Sequence, residues 1–266
     1  MQLLSLVKYL ENTSSAERCS IIMQVLKAWE IPFAIQEYST GRNIIIYPND
    51  RKPVVGVSSH FDVVTGSPGA NDNASSVAVC LALAKRLQEY QFDNISIAVF
   101  FFDEEENGLK GSKAYVSKNG IGKMQSLVNL EMVGCGDKFA LWPLNETSEG
   151  KVLIAFEKIA AQKNIYFSRF DKIVTNSADH VSFMEGGLKD VFTVTCISDE
   201  DLIVANEFFA AQERGKAMHI LQSILKKAPL FKNYHQPTDV TSYLFEESLQ
   251  MTMDCIWETL VMLDAQ

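Results

Sequence analysis

The stretch PVVGVSSHFDVVTGSPGANDNASSVAVCLALAKRLQEYQFDNISIAVFFFD, Pro53 to Asp103, decides the fold. It opens on PVVGVSS (Pro53 to Ser59) and closes on NISIAVFFFD (Asn94 to Asp103), apolar runs rich in β-branched or aromatic residues and bounded by turn residues, the mark of buried strands. Between them SSVAVCLALAKRL reads as a helix. Strand, helix and strand in that order form the crossover unit of a mostly parallel sheet.

The same alternation extends in both directions. Upstream, NIIIYP (Asn43 to Pro48) is a further strand, and the first thirty residues carry helical spacing twice, with Thr13, Ser14 and Ser15 offering an N-cap between the two helices. Downstream come a short helix near Leu109 to Lys118, strands SLVNLEMV and KFALWP, a helix from Val152 to Gln162, and strand DVFTVTCI. Two long amphipathic helices, roughly Asn206 to Lys227 and Glu246 to Leu263, flank the irregular segment PLFKNYHQPTDVTSY. No repeat, low-complexity stretch or linker interrupts this pattern, so residues 1–266 are expected to form a single α/β domain.

Composition narrows the partners. A formal net charge of -9 without a basic run argues against a nucleic-acid partner, because phosphate recognition needs clustered Lys and Arg. No stretch of about twenty apolar residues offers a membrane span. The first helix carries Lys8 and Glu11 rather than a signal-peptide pattern, so a soluble cytoplasmic protein is expected. Cys19, Cys80, Cys135, Cys196 and Cys255 are odd in number and scattered, which suggests reduced core thiols rather than a disulfide framework or thiolate zinc site. Oligomeric state is not legible.

In open α/β sheets the ligand site forms beyond the carboxyl ends of the strands. The polar residues there are His60 and Asp62, then Asp103 to Glu106, then Glu131. His60 with an acid two residues on fits an imidazole that binds metal through one nitrogen while the carboxylate orients the other. Asp72, just before a helix, is either a cap or a carboxylate whose oxygens are shared between two metals. Four consecutive acids in FFDEEENGLKGSKAY need either full solvation or a cationic partner, and neighbouring Glu104 and Glu105 can divide the roles of base and ligand. Glu131 in NLEMVG and His235 in NYHQPTDV each stand alone in their segments. His180 is open as a supporting residue, and His219 reads as structural. Met132, Phe183 and Tyr234 lie beside these motifs, suited equally to an apolar pocket or to core packing.

The order HFD, NDN, DEEENGLKGS, NLEMVG, YHQPTD resembles metallopeptidase family twenty-eight, the di-zinc aminopeptidases and their relatives, among them glutamate carboxypeptidase and glutaminyl cyclase. The resemblance runs from about Val55 to Val240, and the E-E-x-G-L-x-G-S-x-x-Y string is its most specific part. It implies the zinc exopeptidase fold, a three-layer sandwich with a mostly parallel mixed central sheet flanked by helices. It implies two zinc ions, with Asp72 bridging, His60 and Glu131 completing one site, and Glu105 and His235 the other. It also implies Glu104 as general base, Asp62 as the partner of His60, and a cis Asp72–Asn73 peptide. Two departures stand out: Glu131 occupies a position that is more often Asp, and the usual Ser-Asp-His string reads Ala178, Asp179, His180.

The activity implied is release of N-terminal residues from peptides, with water activated by zinc and its proton taken by the general base. A one-zinc glutaminyl cyclase on a similar scaffold is the nearest alternative, and a non-catalytic binding module a more distant one. The expected partner is a peptide or other small amide substrate.

Overall fold

The structure is a computed structural model and describes residues 2–48, 52–143, 145, 147–170 and 178–266. Two helices lead, α1 (Leu3–Leu10) and α2 (Ser15–Ala28). Leu3, Val7 and Leu10 of α1 are buried, the spacing that turns one stripe inward. Of the three cap residues expected, Ser14 is the one used: it accepts from the Glu17 N–H, and the Glu17 side chain bonds back to the Ser14 backbone.

Next come strands β1 (Ala34–Glu37), β2 (Arg42–Ile46) and β3 (Val54–His60), helix α3 (Ser76–Arg86), strand β4 (Ser96–Phe102) and helix α4 (Lys110–Asn119). They are followed by β5 (Met124–Leu130), β6 (Lys138–Pro143), α5 (Lys151–Gln162), β7 (Phe167–Arg169), α6 (His180–Glu185) and β8 (Asp190–Ile197). Four helices close the chain: α7 (Asp199–Glu213), α8 (Met218–Leu225), α9 (Pro229–Lys232) and α10 (Glu246–Asp264).

One sheet holds all eight strands in the order β1-β2-β4-β3-β5-β8-β6-β7. Its middle, β4-β3-β5-β8, is parallel, and antiparallel pairings join β1 to β2, β2 to β4 and β6 to β8. This is the mixed, mostly parallel sheet expected. β4 shows how it is sandwiched: Ile97, Val99 and Phe101 point into the core covered by α1, α3, α5 and α10, while Ala98, Phe100 and Phe102 enter a second core with Tyr115 of α4 and Phe183 of α6. Complete burial of a Phe contributes about 2 kcal/mol or more, so this seven-residue strand anchors both layers.

Four helices and strands were not expected, β1, β7, α6 and α9, all short. The long helix expected over 206–227 is two helices instead. α7 starts earlier, at Asp199 under a Ser198 cap, and ends at Glu213. Gly215 at φ +66 then turns the chain in a conformation that favours glycine, and α8 restarts at Met218. With α9 these helices form a small third core around Trp142, Phe170 and Phe208.

β3 lies between β4 and β5 because the chain leaves it to one side through α3 and returns to its other side through α4. The carboxyl ends of these three neighbouring strands therefore open onto one crevice.

Candidate metal centre

His60 is the last residue of β3 and is buried. Its Nδ1 lies 3.2 Å from Asp62 Oδ1, which leaves Nε2 facing the crevice. There Nε2 meets Glu131 Oε1 at 3.1 Å and Asp72 Oδ1 at 3.3 Å. The other Asp72 oxygen, Oδ2, lies 3.2 Å from His235 Nε2, and Glu106 Oε1 lies 3.0 Å from the same nitrogen. The carboxylate of Asp72 is thus divided between two sets, each with one imidazole and one further acid.

Neighbouring segments hold this arrangement rigidly. Asp239 accepts the Asn71 and Asp72 N–H groups at 2.8 and 3.1 Å. Three side chains near Asp72 then grip the loop that carries Glu131: Asn73 Oδ1 accepts from Met132 N–H, Ser75 Oγ from Val133 N–H, and Asn71 Oδ1 from Gly134 N–H. The Asp72–Asn73 peptide is cis, as the resemblance implies. Behind them Arg18 is fully buried, donating to the carbonyls of Leu10, Phe61, Pro68 and Gly69. Burial lowers its pKa to about 10, and the nearby Asp72, Asp239 and Asp62 oppose that.

The acid run after β4 departs from expectation. Glu104 takes a left-handed φ of 55° and turns its carboxylate outward, onto the Thr40 hydroxyl and the Lys110 ammonium at 3.0 Å. The structure does not bring it to the cluster. Glu105 and Glu106 follow with their N–H groups donated to Asp62 Oδ1 and Oδ2 at 3.0 and 3.1 Å. That anchor points both side chains into the crevice, where both line the central cavity. Glu106, left without a role in the sequence reading, holds the position facing His235 that was expected of Glu105. Glu105 stands where Glu104 was expected. Gly111 permits the tight turn: a Cβ there would sit 2.3 Å from the Asp103 carbonyl oxygen.

Of the other residues singled out, Met132 and Tyr234 line the cavity, with the Tyr234 ring stacked on His235 at 3.7 Å between centroids. Phe183 belongs to the core against Phe100, Phe102 and Tyr115. His180 is buried, its Nδ1 2.7 Å from Thr193 Oγ1, and burial depresses it to about 4. His219 is exposed on α8.

Electrostatics suits a cation. Burial pushes Glu131 up to about 7 and Asp179 to about 7, and raises Glu105, which also feels Glu131 and Asp179. Burial would lower His60, yet Glu131, Glu105 and the bonds to Asp62 and Asp72 outweigh it and hold the imidazole well above its ordinary value. Glu131 Oε2 is buried without a hydrogen-bond partner among the described residues. His60, Asp72 and Glu106 each offer one ligand atom, all within 4.8 Å of one another. Imidazole and carboxylate donors without thiolate fit zinc in a site that keeps a position open.

The central cavity, about 80 Å³, is lined by the carboxylates of Asp72, Glu105, Glu106 and Glu131 together with Trp142, Phe231 and other apolar groups. Among the described residues no helix is long and apolar enough to cross a membrane.

A sequence profile described as Peptidase family M28 matches residues 43–260. Aminopeptidase YwaD of Bacillus subtilis (strain 168) is 36% identical over 140 residues, covering 51% of this chain and 30% of that protein. A vacuolar membrane protease of Schizosaccharomyces japonicus is 26% identical over 153 residues, 56% of this chain and 18% of the relative. The chain therefore spans under a third of the length of these curated relatives. Among solved structures, a zinc aminopeptidase from Bacillus subtilis superposes with a TM-score of 0.65 at 26% identity, covering 84% of this chain and 50% of that one. Porphyromonas gingivalis glutaminyl cyclase shares the fold end to end, with a TM-score of 0.74, 18% identity, and coverage of 98% and 97%.

Proposed function

The chain belongs to peptidase family M28, and on that premise we propose that it is a zinc-dependent aminopeptidase with Glu105 as general base. The observation that carries this reading is the division of Asp72 between two histidine and carboxylate sets, His60 with Glu131 and His235 with Glu106. Each set would hold one zinc ion, which makes two per chain. When bound, zinc supplies the Lewis acidity that polarises the scissile carbonyl and makes water acidic enough to attack near neutral pH.

The remaining work falls to the protein. Glu105 lines the cavity from a backbone anchored on Asp62. Burial and the Glu131 and Asp179 carboxylates raise its proton affinity, which suits a group that takes a proton from attacking water and returns it to the leaving amine. Asp62 holds the His60 ring through Nδ1 and fixes the direction of Nε2. The acids of the cavity attract the α-ammonium of an unblocked peptide. Trp142 and Phe231, which line the same cavity, exclude water and so strengthen the charge interactions inside.

A single catalytic domain and a cytoplasmic setting belong to the same proposal, the latter supported by five free cysteines, four of them buried. The test is turnover of aminoacyl reporters and unblocked peptides by zinc-loaded protein. Free N-terminal amino acids are expected. Pyroglutamate as the sole product, from N-terminal Gln, would establish the one-zinc cyclase reading in its place.

A further inference from the structure

Next to the central cavity lies a second, larger groove of about 830 Å³, built by α7, α8 and the segment leading to His235. Its apolar surface comes from Phe208, Met218, Leu225 and Phe231, and it shares Phe231 and Tyr234 with the central cavity. Its size is that of a small-ligand site rather than a protein interface. Met218 is 53% exposed, a large apolar side chain left in water at the groove wall.

The charges of the two spaces are opposite. Four carboxylates, Asp72, Glu105, Glu106 and Glu131, line the central cavity. Among the described residues no carboxylate lines the groove, whose formal charges are Lys226 and Lys232. Neither lysine has an ion-pair partner among the described residues, whereas the adjacent Lys227 is paired with Glu207 at 3.0 Å. Two ammonium groups among apolar lining residues thus give the groove a charge opposite to that of the central cavity.

We propose that this groove binds the leaving side of a short peptide whose free α-carboxylate is met by Lys226 and Lys232. The inference rests on the aminopeptidase reading and adds a substrate class to it: zwitterionic peptides of a few residues, with an apolar side chain on the leaving part. The α-ammonium faces the acids at one end, the chain passes His235 and Tyr234, and the carboxylate reaches the lysines at the other. Longer peptides and C-terminal amides lose the second anchor.

Two measurements test the groove separately from the chemistry. The first is calorimetric binding of the dipeptide Gly-Phe and its amide to the zinc-loaded wild-type protein and to a K226E/K232E double variant. The second is kcat/KM for Leu-Gly-Phe against Leu-Gly-Phe amide, read as a ratio. Exposed ion pairs are modest and screened by salt. The wild type should therefore favour the free acid by about fivefold at low ionic strength, chiefly through KM. Added salt should shrink that preference, and the double variant should lose or reverse it. Equal binding of acid and amide by the wild type, or an unchanged ratio in the double variant, would overturn the proposal. Carboxylate-dependent binding without hydrolysis of any unblocked peptide would support the groove and sink the aminopeptidase reading.

Discussion

Glu104, Glu105 and Glu106 are neighbours in sequence and meet three different surroundings: solvent with Lys110, the cavity interior, and His235. An acid run has no internal marker of register, and the backbone decides which carboxylate turns inward. The marker lay downstream, since the family string counts back from Gly108 and Leu109 to Glu105 and Glu106. Arg18 offered no such sign, because its partners Phe61 and Gly69 lie 43 and 51 residues away. Replacing it by Met should leave the buried Phe61 carbonyl without a donor among the described residues and take one donor from the carbonyls of Leu10, Pro68 and Gly69, which keep Thr13, Asn12 and Ala74. The cost should be about 2 kcal/mol, read as a lower denaturation midpoint at unchanged slope. His180 gives a pH dependence. Folded, it takes a proton only near pH 4, whereas the unfolded chain does so near 6.5. Its contribution is complete above pH 6.5 and drains away as pH falls toward 4, by roughly 3 kcal/mol at about 1.4 kcal/mol per unit. His180→Asn should flatten that part of the stability profile in denaturant titrations at stepped pH.

Elements were legible where the pattern was long. The strands flanking α3 are buried on both faces, so unbroken apolar runs such as SIAVFFF announce them. The strands β1 and β7 carry four and three residues, too few for a period to emerge. The break between α7 and α8 is a single Gly215 in an otherwise amphipathic stretch, and an isolated glycine does not by itself end a helix on paper. Tight element contacts matter as much as the elements. Where α4 begins, Gly111 lets the helix pass within reach of the turn that holds Glu105 and Glu106. Gly111→Ala would set a methyl group against the Asp103 backbone and force that turn to move. We expect a loss of about 1–3 kcal/mol in thermal or chemical unfolding, with a fall in turnover larger than that loss of folded protein explains.

At the scale of the whole molecule, the sheet order converts distant sequence into one site: three neighbouring strand ends deliver His60, Glu105 with Glu106, and Glu131, while the segment before α10 adds His235. Metal binding should therefore be felt by the entire fold. Zinc at about one hundred times its dissociation constant adds roughly 2.7 kcal/mol per site, so chelation should lower Tm and abolish turnover, and zinc should restore both. Elemental analysis at saturation should count two ions. Of these, the ion shared by His60 and Glu131 should leave first, because the longer glutamate is harder to hold in place. In the proposed zinc aminopeptidase Glu105, rather than its neighbour Glu104, moves the proton of hydrolysis. Mass spectrometry of one unblocked peptide incubated with zinc-loaded wild type, Glu105→Gln and Glu104→Gln tests it most directly. Free N-terminal amino acid is expected from the wild type and from Glu104→Gln at similar rates. Glu105→Gln should lose about two orders of magnitude or more in rate with zinc still bound. Near-normal release by Glu105→Gln, or a collapse confined to Glu104→Gln, would contradict it.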